Sequence, residues 1–315
     1  MISISNSDLP LVSIIVITYN SSKYVLETLE SAKAQTYQNI ELIVSDDCST
    51  DNTVEICRKW IAKNHINFIR TELITALSNK GIPTNCNCGI KVAKGDWVKL
   101  IAGDDILLKT CIKDNLSFVS KNSSAHFITS ELEYIDKDSN ILSHFKYDSY
   151  NNIRKYYFTL TANKQLKLYS RIPLFLNSPA FFIKKTAIIE VGYYDEEFSI
   201  FEDMCLIYKL NEKGWKVYHL ERHTVKYRIS DSSISSQNNK LSNNTRHIEL
   251  KLIFEKYRKK YLSILNILDL TVYFDIWLRF YYKGIFGHKG VLIIKNINIL
   301  NWYLKYLNFQ KRILK

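Results

Sequence analysis

Three pairs of adjacent carboxylates are the residues in this sequence with the clearest capacity for chemistry. They are Asp104-Asp105, Asp46-Asp47 and Glu202-Asp203. Neighbouring carboxylates repel each other and lose hydration when buried, which is costly unless a cation or hydrogen-bond donors compensate. Mg²⁺ and Mn²⁺ commonly take one or two carboxylates together with substrate phosphate and water. Asp104-Asp105 therefore suits a metal–diphosphate site; the alternative is a solvated turn capping a helix that begins at residues 106–108.

The other two pairs favour recognition and proton transfer. An oxygen of Asp46 or Asp47 could accept the imide N–H of uracil or thymine, or a ribose hydroxyl. The same turn would start a helix capped by Asn52, with Glu55 three residues on. Asp203 stands at the start of a helical pattern and could be a general base for a hydroxyl, which typically contributes about 10²–10⁴-fold in rate. The alternative role of Asp203 is helix-dipole stabilisation, worth about 0.3–1 kcal/mol.

The elements that must position these pairs follow an alternating pattern. Strands are predicted at residues 11–18, 40–45 and 97–101, with part of another at 68–69, and helices at 22–35, from 52 onward and at 81–94. Such alternation implies right-handed crossovers and a largely parallel α/β sheet. Ligands bind these sheets beyond the carboxyl ends of the strands. Residues 18–20, 46–47 and 104–105 are therefore expected to meet on one rim.

The second half of the chain changes character near residue 240. Residues 125–235 are less regular, with strands predicted at 128–134 and 216–219, and a Ser- and Asn-dense run follows at 232–244. Long helical patterns rich in Lys, Tyr, Leu and Ile come next. We therefore expect a main domain over residues 1–240 and a basic, aromatic helical region over residues 241–315.

The charge of the protein is concentrated in that last region. The net charge is +12, and residues 241–315 contain 14 Lys or Arg against 4 Asp or Glu. The nearly neutral main domain argues against a nucleic-acid site there. A basic tail can serve an anionic membrane, an acidic substrate or nucleic acid. Aromatic residues beside Lys and Arg favour the membrane interface, with a solvated basic face of a packed helical subdomain as the alternative.

Several other classes of site lack their sequence signals. Neither a Gly-rich phosphate loop nor a nucleophile elbow occurs. The six cysteines contain no C-x-x-C pair, so zinc is disfavoured and reduced cytosolic thiols are expected. His219 and His223 are four residues apart but do not form H-E-x-x-H. No secretory signal and no uninterrupted membrane span are predicted.

Five motifs, in the expected order over about residues 10–235, resemble the inverting family 2 glycosyltransferases with the GT-A fold. They are Thr18-Tyr19-Asn20, VSDDCSTDNT at 44–53, NKGIPTNCNCGIKVAKGDW at 79–97, IAGDD at 101–105, and VGYYDEEF at 191–198 followed by EDMCL at 202–206. The resemblance implies a Rossmann-like central sheet flanked by helices, here with a helical C-terminal extension. It also implies an enzyme that moves a sugar from a nucleotide-sugar to a hydroxyl with inversion.

The resemblance further implies roles for particular residues. The donor nucleotide-sugar would be bound by Thr18, Tyr19, Asn20, Asp46, Asp47, Asn79, Gly81 and Asp104. Asp105, with Asp104, would coordinate Mn²⁺ or Mg²⁺, which would neutralise charge on the departing diphosphate. Asp203 would be the general base for an acceptor hydroxyl that attacks the anomeric carbon from the opposite face.

Three positions depart from the family pattern. Gly103 stands where an acid is common, which leaves two carboxylates. Cys86 stands where Arg is frequent and removes one possible phosphate contact. Ser230 stands where many relatives have His, so a third metal ligand would have to come from His223 or water.

The expected partners follow from the same resemblance. The donor is expected to be a UDP-hexose or UDP-N-acetylhexosamine, and the acceptor a saccharide linked by diphosphate to a membrane lipid, as in the synthesis of bacterial O-antigen or capsule. Residues 245–315 would hold the enzyme on the anionic inner face of the cell membrane, in the cytoplasm, with no nucleic-acid partner. The alternatives are a nucleotidyltransferase and a non-catalytic sugar-nucleotide-binding protein.

Overall fold

A computed structural model describes residues 9–143, 151–172, 174, 176–229, 240–266, 269–270 and 272–274. The strands within these residues are β1 Val12–Thr18, β2 Ile40–Asp46, β3 Arg70–Thr75, β4 Trp97–Ala102, β5 Ile106–Leu107, β6 Phe127–Ile135, β7 Phe182–Lys184 and β8 Val217–Arg228. The α-helices are α1 Val25–Lys33, α2 Thr53–Asn64, α3 Ile82–Val92, α4 Cys111–Lys121, α5 Asn151–Thr159, α6 Ala162–Arg171, α7 Lys185–Glu190, α8 Glu202–Glu212 and α9 Lys240–Ile253.

The strands form one mixed sheet in the order β3-β2-β1-β4-β7-β6-β8-β5. The first four strands are parallel, as predicted. Strand β7 is antiparallel to both β4 and β6, and β5 is antiparallel to β8. The antiparallel pairs join segments far apart in sequence, so local patterns did not predict them. The largely parallel α/β sheet expected from the sequence is confirmed for these first four strands.

The parallel half of the sheet is buried on both faces by helices. On one face, Ile14 and Val16 of β1 belong to the same core as Val25 and Leu29 of α1. On the other face α3 approaches β1 closely at Gly89, where an added Cβ would lie 2.4 Å from Cγ2 of Ile15. A strand covered on both faces reads as a continuous apolar run, which is why β1 was visible in the sequence.

Two local predictions were wrong. The helix expected from Ile106 is instead the short strand β5, which pairs with β8, and α4 begins at Cys111. Two apolar residues fit either structure, and a partner strand more than a hundred residues later decides between them. Asn52 makes no side-chain hydrogen bond to α2. Oδ1 of Asp51 accepts the N–H of Thr53 instead, at 2.9 Å.

The chain divides into two compact units. One comprises Met1–Leu166 and Leu174–Arg246, and the other Lys167–Pro173 and His247–Lys315. Within the second unit, Arg171 forms an ion pair with Asp269, and Nε of Arg258 donates to the carbonyl of Ser170. The division into residues 1–240 and 241–315 stays a prediction, because residues 230–239 and most of 267–315 lie outside the described residues. In the part of the chain that the structure describes, no helix is long and apolar enough to cross a membrane.

Candidate active site

The carboxyl ends of β1 and β2 meet at Thr18 and Asp46. These residues are partners in the parallel register. The hydroxyl of Thr18 donates to Oδ2 of Asp46 at 2.8 Å, and the N–H of Asp47 donates to the carbonyl of Thr18 at 2.9 Å. The structure therefore brings the first two motifs together on one rim.

The loop after β1 is tied to the loop after β2. Oδ1 of Asn20 accepts the N–H of Thr50, and the N–H of Asn20 donates to Oγ of Ser49, both at 2.8 Å. Asn20 and Cys48 have positive φ values of 50° and 64°. Asn tolerates this left-handed conformation better than Cys does. The Tyr19 side chain is left 50% exposed on this rim.

Asp47 joins the rim to the start of α3. Its two carboxylate oxygens accept the N–H groups of Lys80 and Gly81, each at 2.8 Å. Oδ1 of Asn79 accepts the same Gly81 N–H at 3.2 Å. Asp47 is buried, and its remaining lone pairs are what it can offer a nucleoside. The structure thus brings Asn79 and Gly81 to the rim, and their binding of the donor stays a prediction.

The acidic turn after β4 lies beside the end of β8. Asp105 is 1% exposed, and its Oδ1 accepts the backbone N–H of Arg228 at 2.8 Å. Oδ2 of Asp105 is buried without a hydrogen-bond partner among the described residues. Burial raises the pKa of Asp105 well above its usual range, the charge of Asp104 raises it further, and Arg228 lowers it. Asp104 is half-buried, and burial raises its pKa as well.

The glycine in this turn has a steric cause. A Cβ on Gly103 would lie 2.8 Å from Cγ2 of Thr18 and 3.1 Å from Cβ of Ser21. The N–H of Gly103 also donates to the carbonyl of Ile17 at 2.9 Å. The acidic turn therefore packs against the end of β1 so closely that an acid at position 103 has no room.

Among the described residues, no third metal ligand joins Asp104 and Asp105 in a recognisable cluster. In the described part of the chain, no group of three or more His, Cys, Asp or Glu side chains is arranged to hold a metal ion. His223 lies five residues before Arg228 on β8 and pairs with Glu131 of β6. The identity of a third ligand, His223 or water, stays a prediction. Ser230 lies outside the described residues. His219 is engaged elsewhere, with Nε2 2.9 Å from Oε1 of Glu131.

Asp203 lies in the first turn of α8, at the helix start that the sequence predicted. Its side chain is half-buried, and Oδ1 accepts the N–H of Met204 at 2.6 Å. Burial raises the pKa of Asp203 to about 6, against the lowering effect of that backbone hydrogen bond. A carboxylate with this pKa is charged at neutral pH and is still basic enough to take up a proton, which suits a general base.

Helix α3 connects the rim at the ends of β1 and β2 to Tyr194, near Asp203. The helix follows the loop whose Lys80 and Gly81 N–H groups donate to Asp47. Farther along it, Asn87 donates to the carbonyl of Tyr194 at 3.0 Å and accepts the Tyr194 N–H at 2.9 Å. Tyr194 in turn lies within electrostatic range of Asp203. Cys86, in place of the frequent Arg, is buried, and burial raises the pKa of its thiol, so it supplies no charge to a phosphate.

Sequence reasoning missed the residues that hold the acidic turn in place. One is Arg228, and the others form a polar face of α1 made of Tyr24, Glu27, Thr28 and Ser31. The hydroxyl of Thr28 donates to the Asp105 carbonyl at 2.7 Å, and Oγ of Ser31 accepts the Leu107 N–H at 3.0 Å. The spacing of these polar residues, three to four apart on one helix, was the available signal.

Comparison with known proteins places this site in a family. The family described as glycosyl transferase family 2 matches residues 13–187, which is more than half of the chain. The chain belongs to glycosyl transferase family 2. The segment that matches contains the rim at β1 and β2, α3 and the acidic turn. Asp203 lies beyond its end.

Relatives of this family 2 chain match part of its length. Glycosyltransferase GlyG of Streptococcus pneumoniae is 34% identical over 130 residues, covering 41% of this chain and 42% of GlyG. WfaP of Escherichia coli, named as a UDP-Glc:alpha-D-GlcNAc-diphosphoundecaprenol beta-1,3-glucosyltransferase, is 37% identical over 131 residues, covering 41% and 48% respectively. The chain thus matches less than half the length of either relative.

Solved structures support the fold of the family 2 chain along most of its length. The structure of Staphylococcus aureus TarS residues 1–349 in complex with UDP-GlcNAc matches 87% of this chain and 72% of TarS 1–349, with a TM-score of 0.57. The complex of the same TarS segment with UDP matches with a TM-score of 0.54. The sequence identity is 19% in both, so these matches establish the fold.

Proposed function

We propose that this protein transfers a sugar from a nucleotide-sugar to a hydroxyl of a saccharide acceptor, with inversion at the anomeric carbon. The observation that carries the proposal is the convergence of three strand ends on one rim, at Thr18, Asp46-Asp47 and Asp104-Asp105. Family membership supports the reaction class. The names of WfaP and of the TarS complex support a UDP-sugar donor, a UDP-hexose or UDP-N-acetylhexosamine.

The donor nucleoside would lie on the rim formed by β1 and β2. The half-exposed ring of Tyr19 offers a flat apolar surface for the base. Asp46 and Asp47 are held rigidly by hydrogen bonds from Thr18, Lys80 and Gly81, so their positions are set before the donor arrives. A preorganised pocket binds its ligand without a large ordering cost.

The acidic turn suits a divalent cation bound together with the donor diphosphate. The buried, unpartnered Oδ2 of Asp105 and the half-buried carboxylate of Asp104 would supply oxygen ligands of the kind that Mn²⁺ and Mg²⁺ prefer. Asp104 is the more accessible of the two, and Asp105 offers an oxygen that no other described group binds. When bound, the cation would offset negative charge on the departing diphosphate. The remaining ligands would be diphosphate oxygens and water.

Asp203 would take the proton from the acceptor hydroxyl. Its pKa of about 6 keeps it deprotonated at neutral pH, and its place at the N-terminus of α8 holds the carboxylate in one orientation. The hydroxyl oxygen would form the new bond to the anomeric carbon as the bond to the diphosphate breaks. Attack from the face opposite the leaving group inverts the configuration.

The acceptor is proposed to be a saccharide linked through diphosphate to a membrane lipid, as in the synthesis of bacterial surface polysaccharide. The name of WfaP, which specifies a diphosphoundecaprenol-linked acceptor, supports this choice. The cluster of Lys and Arg after residue 241 would attract the protein to the anionic inner leaflet of the cell membrane. Removing residues 245–315 should then abolish binding to anionic liposomes, and unchanged binding would exclude this role.

A donor screen tests the proposed reaction. The full chain would be incubated with UDP-, dTDP- and GDP-sugars and Mn²⁺, and release of the nucleoside diphosphate would be measured with and without saccharide acceptors. Turnover of a UDP-sugar that produces UDP is expected. Formation of pyrophosphate instead would indicate a nucleotidyltransferase. Tight donor binding with no turnover of any donor would indicate a binding protein.

A further inference from the structure

One buried arginine at the end of β8 contacts the acidic turn, the start of α1 and the turn after β6. Nε of Arg228 donates to the Asp104 carbonyl at 2.7 Å, while its backbone N–H donates to Oδ1 of Asp105 at 2.8 Å. The side chain of Arg228 is completely buried. Arg228 thus binds both the Asp104 carbonyl, 124 residues earlier in the chain, and the Asp105 carboxylate, 123 residues earlier.

The other end of the guanidinium group reaches two more segments. Nη2 donates to Oε2 of Glu27 on α1 at 2.9 Å. Nη1 donates to the carbonyl of Asp136 at 3.1 Å and to Oγ of Ser139 at 2.9 Å, in the turn that follows β6. Ser139 also donates to Glu27 at 2.8 Å, which closes a triangle of polar contacts.

An aromatic ring completes the surroundings of this arginine. The guanidinium carbon of Arg228 lies 4.2 Å from the centre of the Tyr24 ring. Tyr24 immediately precedes α1 and Glu27 lies in its first turn, so the start of the helix supplies both contacts. A planar group with five N–H donors can make these contacts together, whereas the ammonium group of Lys is a compact point charge.

The geometry points to Arg228 as the positioning residue of the metal–diphosphate site, acting by holding the Asp104-Asp105 turn against α1 and the turn at 136–139. The identity of the ligand, a cation with a diphosphate, rests on the proposed function. The role of Arg228 in holding the turn does not. Electrostatics supports the same role, because the positive charge of Arg228 offsets the two adjacent carboxylates before any metal binds. A turn held this way presents its oxygens to an incoming cation without rearrangement.

The test compares Arg228→Lys with a control at Arg154, on α5, whose partner Glu131 lies on β6 of the same sheet. Arg154→Lys changes another partly buried ion pair, in which Arg154 Nη2 lies 3.0 Å from both oxygens of Glu131. Hydrogen exchange of residues 102–108 would be followed in each full-length variant without ligand. The Mn²⁺ concentration that gives half-maximal UDP binding would be measured in parallel. Loss of a group that orients metal ligands typically costs about 10–100-fold in metal affinity.

We expect Arg228→Lys to accelerate exchange in residues 102–108 and to raise the half-maximal Mn²⁺ concentration by about 10-fold or more. Arg154→Lys should change neither. Glu27→Gln, at a half-exposed carboxylate, should also accelerate exchange and raise the half-maximal Mn²⁺ concentration, but by smaller amounts. This variant replaces Arg228→Lys in the test if Arg228→Lys does not fold. Wild-type exchange at the turn in Arg228→Lys, or in Glu27→Gln if the first variant is unfolded, would overturn the inference. If wild-type protein binds no UDP with Mn²⁺, the proposed function fails while the exchange comparison still decides the role of Arg228.

Discussion

The backbone N–H of Arg228 donates a 2.8 Å hydrogen bond to Oδ1 of Asp105, across 123 residues of sequence. This bond joins the last residue of β8 to the turn that follows β4. The two strands are not neighbours in the sheet, since β7 and β6 lie between them. The acidic turn is therefore a product of the complete sheet and not of the segment that contains it.

Asp203→Asn should lower the rate of sugar transfer by about 10²–10⁴-fold, because the amide cannot take the proton of the acceptor hydroxyl. UDP binding should be nearly unchanged, since the donor rim lies at the ends of β1 and β2. Initial rates of transfer and calorimetric titration with UDP and Mn²⁺ would measure the two effects. Glu212→Gln, at the other end of α8, is the control and should retain wild-type rates. A comparable loss of UDP affinity in Asp203→Asn would argue against the proposed division of roles.

The pH dependence of transfer should show the ionisation of Asp203. Because the proposed base acts only when deprotonated and its pKa is about 6, kcat/KM should rise with pH through about 6 and level off above it. The ionisation also affects folding in a definite direction. A carboxyl whose pKa is raised by folding favours the native state when protonated, so its stabilising contribution is lost as the pH rises from about 4 to about 6. Asp203→Asn should therefore raise Tm at pH 7.5 but not at pH 4. Equal shifts of Tm at both pH values would contradict this account.

The two carboxylates of the acidic turn, Asp104 and Asp105, should respond differently to amide substitution. Asp104→Asn should raise the Mn²⁺ concentration needed for half-maximal UDP binding while Tm changes little, because this side chain is half-buried. Asp105→Asn should weaken Mn²⁺-dependent binding and also lower Tm. Its amide NH₂ would be buried where Oδ2 now lies, at a cost of about 1–3 kcal/mol if it finds no acceptor. Titrations with Mn²⁺ and thermal unfolding of both variants would separate the effects on binding and on stability. A lower Tm in Asp104→Asn but not in Asp105→Asn would contradict the different roles given to the two acids.

Gly103→Ala should destabilise the protein by about 1–3 kcal/mol, because the new Cβ would lie 2.8 Å from Cγ2 of Thr18. Thr18→Ser removes that methyl group but keeps the hydroxyl that donates to Asp46. The double variant should therefore recover part of the loss. Denaturant unfolding of the two single variants and the double variant would measure the coupling. Simple additivity of the two losses would exclude the steric explanation.

Cys48→Gly should stabilise the protein by about 1 kcal/mol, because Cys48 has a φ of 64°, where a residue with a Cβ is strained and glycine is not. Cys48→Ala retains the Cβ and should show no such gain. Chemical denaturation of both variants would measure the difference. An equal gain in the alanine variant would mean that loss of the thiol, and not relief of backbone strain, is responsible.

Much of the parallel half of the fold could be predicted because its signals are local. The strand at 97–101 was predicted from its apolar run and is observed as β4, Trp97–Ala102. The helix that follows β3 was likewise predicted close to its observed position at Ile82–Val92. The error at Ile106 shows the limit of this approach, because two apolar residues carry no period and their pairing with β8 depends on distant residues.

The sequence by itself determined the family resemblance, the order of the parallel elements and the three acidic pairs, because each depends on residue types at short spacing. Only the tertiary structure decided how those acids are presented. It buried Asp105 completely and Asp104 partly, excluded a side chain at Gly103 and placed Arg228 against the turn. These features depend on contacts between segments up to 201 residues apart, as between Arg228 and Glu27. Such contacts form only when all strands of the sheet have come together.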